Sequence, residues 1–78
     1  MLNNRIIIYA FRYALGRQTG SVSDVCDCIK ENVDSFKSWE LKQIIEEIKQ
    51  HEELYGNLGM KCDRDTWYDL IEFLDGRI

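Results

Sequence analysis

A chain of 78 residues, 45% hydrophobic and 31% charged, is sized for one small core and has the composition of a folded domain, not of a disordered segment. Three cysteines form no regular framework, which excludes the disulfide-stapled architecture of small secreted domains. The apolar run from Ile6 is preceded by no cleavable signal pattern, is interrupted by Arg12 and is too short to span a bilayer, so a cytoplasmic protein without a membrane partner is expected.

Proline is absent, which removes the commonest helix breaker, and the pattern reads as all-α: a compact four-helix domain over residues 1–78. The first helix is predicted over residues 4–15, capped by Asn3 or Asn4 and stopped at Gly16. Ile6, Ile7 and Ile8 also suit a buried strand, but no later segment offers an alternating partner. At 100° per residue, Ile6, Ile7, Ala10, Phe11, Ala14 and Leu15 cover more than half the wheel and leave Arg5, Tyr9 and Arg12 in one remaining sector. A helix this apolar is expected to be central and mostly buried, with the other three packed around it.

The second helix is predicted to begin after Ser21, where Ser21-Val22-Ser23-Asp24 resembles a capping box. Val22, Val25, Cys26, Ile29 and Val33 share its apolar face, with Phe36 in the connection that follows. The third helix is predicted from Trp39, capped by Ser38, to Tyr55, with Gly56 just beyond it. Its stripe is Leu41, Ile44, Ile45, Ile48 and Tyr55. The fourth is predicted to start after Asp63, bury Trp67, Leu70, Ile71 and Leu74, and end at Gly76.

Charge is distributed unevenly along these elements. Residues 1–20 hold Arg5, Arg12 and Arg17 and no acid, so the remainder carries all fourteen acidic residues. The plainest account is that helices two to four solvate themselves, with Arg5 and Arg12 reaching Glu46, Glu47 or Asp69 as surface ion pairs. Two functional readings stand beside it. In the first, helical carboxylates, with Glu46, Glu47, Glu53 and Asp69 as contacts, occupy the basic surface of a nucleic-acid-binding protein, an association that charge steers and salt weakens. In the second, Arg5, Arg12 and Arg17 with Gln18, Thr19 and Gly20 bind an anion or nucleotide, because arginine forks match phosphate oxygens and the turn leads into a helix N-terminus. Its spacing matches no phosphate-loop or dinucleotide fingerprint.

Arg12-Tyr13-Ala14-Leu15-Gly16-Arg17-Gln18-Thr19, then Val22-Ser23-Asp24-Val25 and the later Gly59-Met60-Lys61-Cys62-Asp63, resemble short proteins encoded by bacteriophages and mobile elements of Gram-positive bacteria. Gly20 departs from that pattern, in which an aromatic residue more usually follows the threonine. The resemblance implies a small accessory protein acting in the host bacterial cell. Many such proteins are stoichiometric inhibitors of host defence, anti-CRISPR proteins among them, so the expected partner is a host protein such as a nucleic-acid-binding defence effector.

No cofactor, metal, direct nucleic-acid contact or catalytic role is expected. Cys26 and Cys28 are two apart on a helix and point about 160° from each other, so they do not share a zinc ion with His51 or Cys62. Cys26 suits a small core position, His51 a half-buried place on the third stripe, and no lowered thiol pKa or oxyanion hole is suggested. Tyr9, Tyr13, Trp39, Tyr55, Trp67 and Tyr68 exceed what so small a core can bury. Some are expected at an interface, and an isologous homodimer through helix one or helix four is one way to cover them.

Overall fold

The computed structural model describes residues 4–17, 22–56, 58 and 61–78. It is all-helical: α1 Asn4–Arg17, α2 Val22–Glu31, a short 3-10 turn Val33–Ser35, α3 Ser38–Tyr55 and α4 Lys61–Asp75. The closely packed pairs are α1 with α2, α2 with α4, α4 with α3, and α3 with α1. The helices therefore run around the core in the order one, two, four, three, which makes α1 and α3 one side of the bundle and α2 and α4 the other. Across the middle, Phe11 of α1 meets Trp67 of α4 edge to face, with ring centroids 5.7 Å apart and planes at 79°. This is a geometry that aromatic quadrupoles favour.

The four stripes meet in one core. Ile7, Phe11, Ala14 and Leu15 come from α1, Val22, Val25, Cys26 and Ile29 from α2, Leu41, Ile44, Ile45 and Ile48 from α3, and Trp67, Leu70 and Leu74 from α4. Val33 and Phe36 close one end, as their spacing predicts, and Leu58 adds a fully buried side chain from the α3–α4 connection. A mostly buried, central first helix is not what is found. Ile6 is 50% exposed and Ala10 is exposed as well, so α1 buries a sector only about 100° wide. Each of the other helices brings a stripe of its own, and four stripes close a core that needs no more of α1 than this. Tyr55, expected on the α3 stripe, is 67% exposed, while Ile71 is half-buried.

The helix ends follow local chemistry. Gly56 adopts φ 76°, the left-handed conformation that favours glycine, and its N–H donates to the Glu52 carbonyl at 2.7 Å. At the other end, α3 begins one residue earlier than predicted. Lys37 occupies the cap position, and the Glu40 carboxylate accepts its backbone N–H at 2.8 Å, so the reach-back half of a capping box does the capping in place of Ser38. Asn4 lies inside α1, and its side-chain amide donates to the Ser35 carbonyl at 2.7 Å, tying α1 to the 3-10 turn. Gly16 is helical and α1 continues to Arg17. α4 begins at Lys61, ahead of Asp63, and ends before Gly76, whose N–H donates to the Glu72 carbonyl at 3.3 Å. The Ser21 cap and the turn Gln18, Thr19 and Gly20 lie outside the described residues. Among the described residues no helix is long and apolar enough to cross a membrane.

Candidate functional site

Two surfaces of different chemistry lie on opposite sides of the bundle. α1 and α3 together hold five basic and five acidic residues; α2, the 3-10 turn and α4 together hold three basic and nine acidic. On α2, Asp24, Asp27 and Glu31 recur at three- and four-residue spacing and are exposed; on α4, Asp65, Asp69 and Glu72 do the same. Lys30 joins the two helices by an ion pair to Asp69 and also lies 5.7 Å from the centre of the Phe73 ring. Arg77 also lies over the Phe73 ring, 5.2 Å from its centre, and reaches Asp34 at 3.5 Å. The remaining carboxylates give this side its negative field.

The opposite side is lined by aromatic side chains. Between α1 and α3 runs an open groove of about 440 Å³, bounded by Arg5, Tyr9 and Arg12 on one bank and Trp39, Glu40 and Gln43 on the other. Tyr9 is 65% and Trp39 61% exposed. A smaller hollow of about 230 Å³ continues the seam past Arg12 towards Leu15, His51, Leu54 and Tyr55. His51 and Tyr55 lie ring to ring there, with centroids 4.6 Å apart. Of the eight large apolar side chains exposed among the described residues, Ile6, Tyr9, Tyr13, Trp39, Leu54 and Tyr55 belong to α1 and α3.

The sequence-derived acidic set is divided by this arrangement. Glu47 is held by Arg12 through two hydrogen bonds, from Nε at 2.9 Å and from a terminal guanidinium nitrogen at 3.3 Å, and its carboxylate raises the Arg12 pKa further. Asp69 is engaged by Lys30 on the other side of the molecule. Glu46 and Glu53 are exposed on α3 four residues beyond Lys42 and Lys49, a spacing that mixes the signs. Two of the four are therefore engaged by bases, Glu47 by Arg12 and Asp69 by Lys30, and two are exposed beside lysines of their own helix. Of the alternative set, Arg5 and Arg12 share the groove; Arg17 ends α1 with its side chain outside the described residues, as are Gln18 and Thr19. A double-mutant cycle on Arg12→Ala and Glu47→Ala, read by urea denaturation, is expected to give a coupling of about 0.5–1 kcal/mol, the range of exposed pairs.

The thiols are placed for packing. Cys26 is buried in the core, and burial pushes its pKa from 9.0 to about 12, against a smaller opposing effect of Lys30. Cys28 is half-buried, with the Asn32 side-chain amide 3.8 Å from its sulfur. The side chain of Cys62 is outside the described residues. Among the described residues no cluster of His, Cys, Asp and Glu is arranged to hold a metal ion. No protein-family model, curated protein or solved structure matches this chain.

The sequence places the negative surface on α3 and α4, which do pack together; the structure adds α2, which also adjoins α4 and whose carboxylates that reading does not include. The signal available was the run Asp24, Asp27, Glu31 on the outer face of α2. Which outer faces adjoin depends on the packing order, and that order is not a property of any single helix.

Proposed function

We propose that this is a non-enzymatic binding protein that occupies the basic, nucleic-acid-binding surface of another protein with the carboxylates of its α2/α4 side. The supporting observation is the segregation of charge: nine acids against three bases on one side of a bundle whose other side is balanced. Exposed carboxylates on two adjoining helices present an extended negative field to a cationic channel, where they compete with phosphates for the same lysines and arginines. The resemblance to phage and mobile-element proteins favours a host defence effector as the target, in the bacterial cytoplasm, and one-to-one occlusion as the mode of inhibition.

The test is capture of the partner from the bacterium that carries the gene, using tagged wild type and a variant with Asp27→Asn, Glu31→Gln, Asp65→Asn and Glu72→Gln. All four side chains are exposed, so the fold is expected to persist by circular dichroism. On this reading the wild type retains a protein that excess DNA or RNA displaces, and the neutralised variant loses it. Retention by the variant, or indifference to nucleic acid, refutes the reading.

A further inference from the structure

The aromatic side of the bundle is the one feature that the acidic surface leaves unexplained. We infer that the α1/α3 side is a self-association surface, on which a second copy of this chain docks face to face and so leaves both α2/α4 surfaces outward. The inference does not rest on the partner reading above, since the two use opposite sides of the molecule.

Three observations select a second copy. The first is composition: Tyr9, Trp39 and Arg5 surround the groove and Leu54 lies further along the same seam. Exposed Trp, Tyr and Arg clustered about a hollow are the residue types that carry most interface energy. The second is charge. α1 holds three arginines and no acid, and α3 five glutamates and two lysines. After Arg12 and Glu47 neutralise each other, and with Glu52 turned to Tyr68 of α4, α1 still has an excess of positive charge and α3 an excess of negative. A two-fold axis running along the seam lays α1 of each copy over α3 of the other and matches these excesses. An axis across the seam sets arginine helix on arginine helix, and contact through α2 and α4 sets acid on acid.

The third observation is size. The Cα body measures 30 × 23 × 18 Å, so one broad face spans about 540–690 Å² before side chains are added. A face of that size has room for an interface near the roughly 800 Å² per partner of the standard class. A nucleotide is disfavoured as occupant because the same groove contains the Glu40 carboxylate, and Arg12 is already committed to Glu47.

Sedimentation equilibrium of the full chain, from micromolar to millimolar concentration and at low and high salt, tests this. The expected mass is twice the 9.3 kDa of one chain, with dissociation promoted by salt. Tyr9→Ser combined with Trp39→Ser is expected to raise the dissociation constant by about thirtyfold. Both side chains are largely exposed in the single chain, so helical content should not change. Asp27→Asn with Glu72→Gln, on the opposite side, should leave the mass unaltered. Arg5→Glu should weaken the dimer if α1 faces α3, whereas a strengthened dimer overturns that axis. A wild type that stays monomeric overturns the inference altogether, whether or not added ATP changes Trp39 emission; a change would give the groove to a nucleotide instead. A dimer indifferent to the Tyr9 and Trp39 substitutions overturns it equally.

Discussion

Trp67→Ala is expected to be the most destabilising truncation in the core. Trp67 is fully buried where α4 faces α1, and its ring fills the middle of the bundle against Phe11. Truncating a buried tryptophan to alanine typically costs about 3–5 kcal/mol. A domain of this length has a total stability of roughly 4–12 kcal/mol, so most of the folded population is lost in the lower part of that range. Trp67→Phe separates packing from hydrogen bonding. The indole Nε1 is buried and has no acceptor among the described residues, and an unpaired buried donor costs about 1–3 kcal/mol. Phenylalanine removes that donor while keeping an aromatic ring, so its net cost is expected to be about 1 kcal/mol. Urea denaturation of the three proteins checks both values, and equal destabilisation by Ala and Phe contradicts the account.

The second large effect is a loss of stability in alkali. In the unfolded chain the Cys26 thiol releases its proton near 9.0, whereas burial holds it in the native state to about 12. Between those values the native protein binds more protons than the unfolded one. Its stability therefore falls as pH rises, by about 1.4 kcal/mol per unit and roughly 4 kcal/mol across the whole window. Below pH 9 the contribution is complete. Tyr68 adds a change of the same sign, because its hydroxyl donates to the Glu52 carboxylate and its pKa is raised chiefly by that bond. Cys26→Ala should flatten most of the alkaline decline at a cost of about 1 kcal/mol near neutrality. Unfolding curves from pH 8 to 11 for both proteins give the comparison, and an unchanged slope in the variant counts against a titrating core thiol.

Periodicity carries an all-helical fold well, and the residues show why. The stripes of α2, α3 and α4 are narrow and bounded by charge, so Val25, Ile29, Ile44, Ile48, Leu70 and Leu74 are legible as core from spacing alone. Gly56 is equally legible because a left-handed cap has a preferred residue. α1 is not, since its wheel is apolar nearly all round and the sequence does not state how many neighbours cover it. The exposed Ile6 and Ala10 are the difference between an apolar helix and a covered one, whereas Tyr9 lies in the exposed sector that the wheel assigns it. The Arg12–Glu47 contact was among the surface pairs that spacing allows, but its two-pronged geometry belongs to the α1–α3 packing. Leu58 is not legible as core, because an isolated leucine in a connection has no period.

The packing order has a consequence for how the chain reaches this state. Two of its four sides, α1 on α2 and α3 on α4, join helices that are consecutive along the chain, so half of the framework closes through short loops with little entropy to overcome. Helical domains with such local wiring fold on the microsecond-to-millisecond scale. With no proline in the sequence, no slow prolyl isomerisation interrupts that descent. Phe11 and Trp67 are separated by most of the chain, and their contact is expected to form as the two helix pairs dock. Because α2 packs most extensively on α4, the apolar face that carries Ile29 is covered only once the last helix has been made, so completion of α4 and not formation of the local helix pairs closes the core.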